Sequence, residues 1–362
     1  MKVALVITGL GMGGAEHVVV NLADKLIELD NEVLLVYLTG KALVLPREKK
    51  VKIVSINMNG YKDFFKAYIK LRLELKQFKP DVVHGHMVHA NILTRLVRLS
   101  LNIPRLISSA HSTNEGGRLR MLAYRLTDRL CDITTNVSEE AVSEFLKKKA
   151  VNPNKMICVH NGIPTNIYKY SDIDRINNRK KLNITSRKML LAVGRLEVAK
   201  DYPNLLKAIS LLKKERTDFK LFVAGDGSQR ENLIQMVSEL DIQDYVEFLG
   251  VHRNIPSLMS ASDIFVLSSA WEGFGLVVAE AMACQRVVVA TDCGGVREVI
   301  GQPGILVKPK DSIKLASALF DALNLNNDET YKLGLDARSR IKEHYSLDAA
   351  ITTWLKIYKN SY

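Results

Sequence analysis

Residues 3–29 read VALVITGLGMGGAEHVVVNLADKLIEL. An apolar run, a glycine-rich turn and an amphipathic helical run follow one another within a single unit. That order predicts a buried parallel strand feeding a helix, the βα building block. The turn, GLGMGG at 9–14, satisfies G-x-G-x-x-G through Gly9, Gly11 and Gly14, the pattern of a dinucleotide loop. A dinucleotide site also needs an acid at the end of the next strand to take the ribose hydroxyls. That strand ends at Leu38, Thr39, Gly40 and Lys41. The acid is missing, which disfavours an NAD-dependent oxidoreductase. What survives is narrower: backbone without Cβ atoms at Gly13 and Gly14, next to a helix start whose free N–H groups and dipole favour an anion.

The same rhythm repeats. Apolar runs at 33–38, 51–56, 81–86, 105–111, 132–138 and 155–160 alternate with amphipathic stretches such as 15–29 and 62–79. Residues 165–187 are polar and read as a linker. Strands then resume at 189–194, 219–225, 245–250, 263–269, 286–291 and 304–307. The expectation is α/β: two doubly wound Rossmann-like parallel-sheet domains, 1–168 and 169–345, facing a central cleft. A last helix within 346–362 is expected to pack back on the first domain. Ligands of such sheets bind beyond the carboxyl ends of the strands.

Composition sets limits. The chain has 362 residues, 47% of them hydrophobic and 25% charged, as in ordinary globular proteins. No apolar run reaches the length of a membrane span. The first residues enter a strand without the layout of a secretory leader, so a cytoplasmic location is expected. Cys131, Cys158, Cys284 and Cys293 show no paired spacing and read as reduced thiols rather than metal ligands. Of a formal charge of +12, roughly +10 lies in residues 1–170, an asymmetry that points to an anionic partner. Nucleic acid is disfavoured, because no aromatic-interleaved basic motif is present.

The second half supplies chemistry. WEGFGLVVAEAMAC at 271–284 places Glu272 in a loop after a strand and Glu280 in the second turn of a helix starting near Leu276. The N–H groups of Gly275, Leu276 and Val277 form a candidate phosphate site. GRLEVAK at 194–200 puts Arg195 and Lys200 at another strand's carboxyl end, where two cations suit a diphosphate. Asp172-Ile-Asp174 has the spacing of a metal-binding pair, but it lies in the polar segment and not after a buried strand.

In sum, E-x7-E within EGFGLVVAEAMA, together with GGAE at 13–16, DVVHGH, His111, NGI at 161–163, VGRLEVAKD at 193–201 and VAGDGSQRENL at 223–233, resembles family 4 of the retaining glycosyltransferases, bacterial surface-polysaccharide (O-antigen, capsule) type. The resemblance implies the GT-B fold. It implies that Glu280 holds the donor ribose, and that Arg195, Lys200, Gly275, Leu276, Val277 and Gly14 meet the diphosphate. It further implies that Val251 backbone meets the base, that Glu272 touches the transferred sugar, and that His111 lies near the anomeric centre. Pro164 stands where the family often has Asp. The activity implied is metal-independent transfer from a nucleotide sugar, UDP-linked, to a lipid-linked saccharide, with no cofactor. A GT-B-fold UDP-sugar epimerase and a non-catalytic binding protein are the rival readings. His84, His86 and His89 lack accompanying ligands and read as lining or supporting residues. Helix 62–79, with Phe64, Tyr68, Leu71 and Leu75 on one face, reads as core-packed. Its alternative is docking on an anionic inner membrane, to which Arg118, Arg120, Arg125 and Arg129 would add charge.

Overall fold

The computed structural model describes residues 1–113, 115–184 and 187–361. The chain forms two compact units, Met1–Gly162 with Leu347–Tyr362, and Ile163–Ser346. Among the described residues, seven parallel strands make the first sheet: β1 (Lys2–Gly9), β2 (Glu32–Thr39), β3 (Lys52–Ser55), β4 (Val82–His86), β5 (Arg105–Ser109), β6 (Ile133–Asn136) and β7 (Met156–Cys158). Their spatial order is β3-β2-β1-β4-β5-β6-β7. Helices α1 (Gly14–Glu28), α2 (Phe64–Phe78), α3 (Val88–Val97), α4 (Arg118–Thr127) and α5 (Glu139–Lys147) connect them. In the second unit follow α6 (Asp172–Lys181), β8 (Lys188–Val193), α7 (Tyr202–Leu212), β9 (Phe219–Ala224), α8 (Arg230–Glu239), β10 (Val246–Gly250) and α9 (Ile255–Ala261). The unit continues with β11 (Ile264–Leu267), α10 (Leu276–Ala283), β12 (Val287–Thr291), α11 (Val296–Ile300), β13 (Ile305–Val307), α12 (Ser312–Asn324) and α13 (Asn327–His344). Its sheet runs β10-β9-β8-β11-β12-β13. The last helix, α14 (Leu347–Tyr358), belongs to the first unit.

The inner strands β1, β2, β8, β11 and β12 are apolar through most of their length because both faces are covered, as buried parallel sheets require. Along β1, Val3, Leu5 and Ile7 point to α1 and α14, meeting Leu22, Leu26, Ile351, Trp354 and Ile357. Ala4 and Val6 point the other way, to Leu71 and Leu75 of α2 and Leu93 of α3. This is the two-residue alternation of a strand with a core on each side. α2 buries Ala67, Leu71 and Leu75, the core-packed arrangement expected of it.

Two expectations need correction. The unit boundary falls at 162/163, not 168/169. Ile163 donates its N–H to the Tyr345 carbonyl at 2.8 Å, and Arg338 holds the carbonyls of Thr165 and Tyr168 at 3.1 and 2.9 Å, so 163–168 are fastened to the second unit. Nor is 165–187 merely a linker, although residues 185 and 186 lie outside the described ones. It contains α6, capped by Ser171, whose side chain accepts the Asp174 N–H at 3.2 Å. The helix has no buried residue, so no apolar stripe marked it in the sequence. It is held by charge. Arg175 and Arg179 both pair with Asp263, whose Oδ2 also accepts the Met189 N–H at 2.7 Å. Burial works to raise the Asp263 pKa, but the Arg175 charge and the Met189 bond outweigh it and the pKa falls below the ordinary value.

Asp263→Ala is therefore expected to destabilise the protein by about 3 kcal/mol, because it removes the counter-charge of two arginines, which keep only backbone carbonyls as partners, and the acceptor of the Met189 N–H. A carboxylate with a depressed folded-state pKa stabilises above its unfolded pKa and loses that contribution as pH falls through the folded one. The deficit of the variant, measured by denaturant titration, should shrink on acidification. A deficit that stays the same at low pH would refute the assignment.

Candidate active site

In the second unit the strand order reverses between β8 and β11, the switch point at which open α/β sheets bind ligands. The loop after β8 carries Arg195 and Lys200, and the loop after β11 carries Glu272. The two loops are sewn together. Ala270 donates its N–H to the Ala199 carbonyl at 2.8 Å, and Ser268 Oγ donates to the Lys200 carbonyl at 2.8 Å. The neighbouring β9 and β12 loops press on them through glycines. Gly225 (φ +148°) lies so close that a Cβ would overlap the Gly194 carbonyl, and a Cβ on Gly294 (φ +57°) would overlap that of Glu272. The loops are thus set by backbone-to-backbone contact that no other residue permits.

Lys200 Nζ pairs with Glu272 Oε1, to which Ser269 Oγ also donates at 2.8 Å. Both charged side chains are largely buried, 20% and 14% exposed, so this pair resists screening by salt. Arg195 is exposed. Gly275 (φ +84°) caps α10, and Leu276 and Val277 begin it. One and a half turns on, Glu280 is 7% exposed. Burial pushes its carboxyl pKa up to about 8, against the opposing effects of the Tyr168 hydroxyl, which donates to it, and of Lys200. Val251 follows β10 with its side chain exposed. Of the second-unit residues expected from the sequence, Arg195, Lys200, Glu272 and Gly275 thus lie on the two loops that meet at the switch point, Leu276, Val277 and Glu280 lie on α10, which leaves the second of those loops, and Val251 follows β10, the sheet's edge strand. Asp172 and Asp174 lie in the first turn of α6, where Asp172 accepts from Tyr170 at 2.8 Å.

The first unit reverses its strand order between β1 and β4. The loop after β1 ends in Gly13 and Gly14, with Gly14 opening α1. The Glu16 side chain folds back over this loop, since a Cβ on Gly13 would overlap its carboxylate. After β4 comes Met87, whose φ of +71° is a conformation rarely taken by a residue with a side chain. After β5 comes His111. His111 Nε2 meets His86 Nδ1 at 3.1 Å. Burial lowers the His111 pKa to about 4 and that of His86 well below its ordinary value, so both rings are neutral at pH 7. A neutral pair shares one proton between its facing nitrogens. The outer nitrogens, His111 Nδ1 and His86 Nε2, are buried and have no partner among the described residues. One of them therefore presents a donor and the other a lone pair.

Contacts that no local pattern announces hold this histidine. Glu115 Oε1 accepts the His111 backbone N–H at 2.9 Å and Oε2 accepts the Tyr124 hydroxyl at 2.6 Å. Below the ring, a buried chain runs from Tyr358 Oη to His84 Nδ1 (2.8 Å), from His84 Nε2 to Ser109 Oγ (2.6 Å) and on to Thr135 Oγ1 (2.6 Å). His84 and His86 stack with ring centroids 3.9 Å apart. Tyr168, Ser269, Glu115 and Met87 were not anticipated. Tyr168 lies beside Glu280 only through the fold, whereas Ser269 and Glu115 stand three and four residues from Glu272 and His111 and Met87 directly follows β4.

Both halves of the chain match known sequence families. The family described as Glycosyltransferase Family 4 matches residues 12–167, and that described as Glycosyl transferases group 1 matches residues 174–340. An uncharacterized glycosyltransferase of Haemophilus influenzae is 28% identical over 98% of both chains. An α-1,4-N-acetyl-D-galactosaminyltransferase of Campylobacter jejuni, whose named acceptor is a saccharide on diphospho-undecaprenol, is 27% identical over 99% of this chain and 98% of its own. Among solved structures, Anabaena HepE in complex with UDP and glucose superposes with a TM-score of 0.87 over 99% of this chain and 100% of its own, at 20% identity. The protein is an enzyme of the glycosyltransferase class. Its two sheets are those of the GT-B fold.

Proposed function

We propose that the enzyme moves a hexose or N-acetylhexosamine, with retention at the anomeric carbon and without a metal, from a UDP-linked donor to a lipid-diphosphate-linked saccharide in bacterial surface-polysaccharide assembly of the O-antigen or capsule type. The observation that carries this reading is the cluster at the second unit's switch point: Lys200 paired with Glu272 beside the α10 start, with a buried carboxyl at Glu280. Support for the donor comes from a fold relative that holds UDP and glucose. Support for the acceptor comes from the Campylobacter relative, whose product linkage is also α.

Breaking a glycosyl–phosphate bond leaves negative charge on the diphosphate and positive charge on the sugar ring. Arg195, Lys200 and the N–H groups of Gly275, Leu276 and Val277 would receive the first, already oriented and at little reorganisation cost. Glu280 would accept the ribose hydroxyls, and the backbone at Val251 would meet the base. Glu272 would accept hydroxyls of the transferred sugar. From the first unit, Gly14 would add backbone to the diphosphate, and the free His111 nitrogen would bond a sugar hydroxyl near the reacting carbon. The acceptor hydroxyl would attack from the face the phosphate leaves, its proton passing to the departing phosphate oxygen.

The test is incubation of purified enzyme with UDP- and GDP-sugars and undecaprenyl-diphosphate saccharides in EDTA, followed by linkage analysis. An α-linked product formed in EDTA is expected. Loss of transfer in EDTA, restored by a divalent cation, would overturn the metal-independent step. Isomerised nucleotide sugar without acceptor, or NADH binding without UDP binding, would overturn the whole reading. His111→Ala should lower turnover by about 10²-fold or more, with UDP affinity close to wild type. An equal loss of both would place His111 in nucleotide binding instead.

A further inference from the structure

The loop that carries Glu272 holds two aromatic side chains with opposite fates. Phe274 is 3% exposed and meets the Tyr345 ring edge-on, centroids 5.7 Å apart. Trp271, directly before Glu272, is 47% exposed. The way the two site loops are sewn together gives Trp271 a neighbour. Ser268 bonds the Lys200 carbonyl and Ala270 bonds that of Ala199. The segments therefore run past each other in opposite directions, and the next residues in line are Val198 and Trp271. Val198 is 64% exposed. Single apolar residues on a surface need no explanation. This pair stands at the carboxyl ends of β8 and β11, where ligands of such sheets bind, and it adjoins the enclosed Lys200–Glu272 pair, 20% and 14% exposed. An apolar wall beside a few fixed polar groups is the make-up of a small-ligand site. The wall is also set in advance. The Gly294 backbone presses on the Glu272 carbonyl, and a tryptophan has only two side-chain torsions to order.

We propose that Trp271 and Val198 form a platform for the terminal pyranose ring of the acceptor saccharide. A pyranose presents C–H bonds on its faces and hydroxyls around its rim. The C–H face suits the electron-rich face of an indole, while rim hydroxyls suit a charged pair alongside. A nucleotide base would stack on an indole too, but the base is assigned to Val251 after β10, two strands away from β8. Exposure separates the two sugars. The transferred sugar is assigned to Glu272, on the enclosed side. The acceptor must enter from solvent, and Trp271 and Val198 are on that open side. The proposal rests on the saccharide acceptor put forward above and names what the second unit contributes to holding it.

The chain has two tryptophans, and Trp354 is 7% exposed, so acrylamide quenching of the intrinsic fluorescence reads Trp271. The probes are the methyl α-glycosides of glucose, galactose, N-acetylglucosamine and N-acetylgalactosamine, each added at millimolar concentration to the full-length enzyme with UDP. At least one should protect Trp271 from acrylamide and shift its emission to shorter wavelength, and the response should vanish in Trp271→Phe. With the undecaprenyl-diphosphate saccharide that gives product, Trp271→Ala should raise the acceptor KM by about tenfold or more. Its kcat and UDP affinity should stay within about threefold of wild type, its Tm should not change, and Trp271→Phe should recover most of the loss. Quenching unchanged by all four glycosides, or a wild-type acceptor KM in Trp271→Ala, overturns the platform. Protection by UDP-sugar before any acceptor is added overturns the acceptor assignment and gives Trp271 to the transferred sugar. Weakened UDP binding in Trp271→Ala overturns it in favour of the nucleotide. Sugar transfer to which Trp271 is indifferent sinks the platform alone, and glycoside protection in an enzyme that transfers no sugar sinks the transfer reading alone.

Discussion

Lys200→Ala is expected to lower kcat/KM by about 10³-fold, the scale on which removal of one preorganised electrostatic contact acts. Lys200 is the buried cation of the second unit's site, and it is fixed from both sides. Its carbonyl accepts from Ser268, and its ammonium faces Glu272. Charge building on a departing diphosphate would meet it in a partly dehydrated setting where attraction is strong. The substitution also leaves the Glu272 carboxylate without its counter-charge and with the Ser269 hydroxyl as a donor, so a stability loss of about 3 kcal/mol should accompany it. The two effects separate in the double variant Lys200→Ala/Glu272→Gln, in which no unpaired charge is buried. Stability should largely return and activity should not. A single variant that keeps kcat/KM within about threefold of wild type would remove Lys200 from the transition state.

UDP affinity should rise with pH up to about 8. Ribose hydroxyls donate hydrogen bonds, and the form of Glu280 that accepts two of them is the carboxylate. Burial holds that carboxyl near 8, so below this value nucleotide binding must first release a proton. The dissociation constant should fall by up to about tenfold per pH unit on approaching 8 and then level off. Glu280→Gln should bind UDP about 10- to 100-fold more weakly at high pH and lose the dependence. The stability effect runs the other way. A carboxyl whose folded-state pKa is raised contributes fully below its unfolded value and loses that contribution as pH rises through the folded one. Glu280→Gln should therefore gain in Tm relative to wild type as pH rises from the ordinary carboxylate range to about 8, and the gain should level off above it. Isothermal titration and thermal melts across this range check both signs. A pH-independent UDP affinity in wild type would show that the Glu280 carboxyl does not bind the nucleotide.

The inner strands β1, β2, β8, β11 and β12 were legible because they are buried on both faces along most of their length and read as continuous short apolar runs. The loop of Glu272 and the helix of Glu280 were legible because glycines and a helix start follow a strand directly. α6 was not, because it buries nothing and owes its place to Arg175, Arg179 and a partner about 85 residues away. The support of His111 was not legible either. Glu115 is close in sequence, but its second partner Tyr124 lies on another element. His84 depends on Tyr358, 274 residues distant. Helical periodicity located the inward side of α2 through Leu71 and Leu75. It gave no warning of Phe65, Ile69 and Leu73 on the opposite side, since a pattern with apolar residues all round does not say which of them finds cover.

The chain leaves the first unit at Gly162 and returns at Leu347, which fixes an order of maturation during synthesis. At typical translation speeds, roughly 10–40 s separate these two points. Throughout that interval the nascent first unit lacks Ile351, Trp354 and Ile357, which cover β1 beside α1, and His84 lacks Tyr358. The second unit is continuous in sequence and can close once Ser346 has left the ribosome. The half made first is therefore finished last, and a ribosome that stops short of α14 releases a chain whose second unit can fold while the half bearing His111 still exposes an apolar seam.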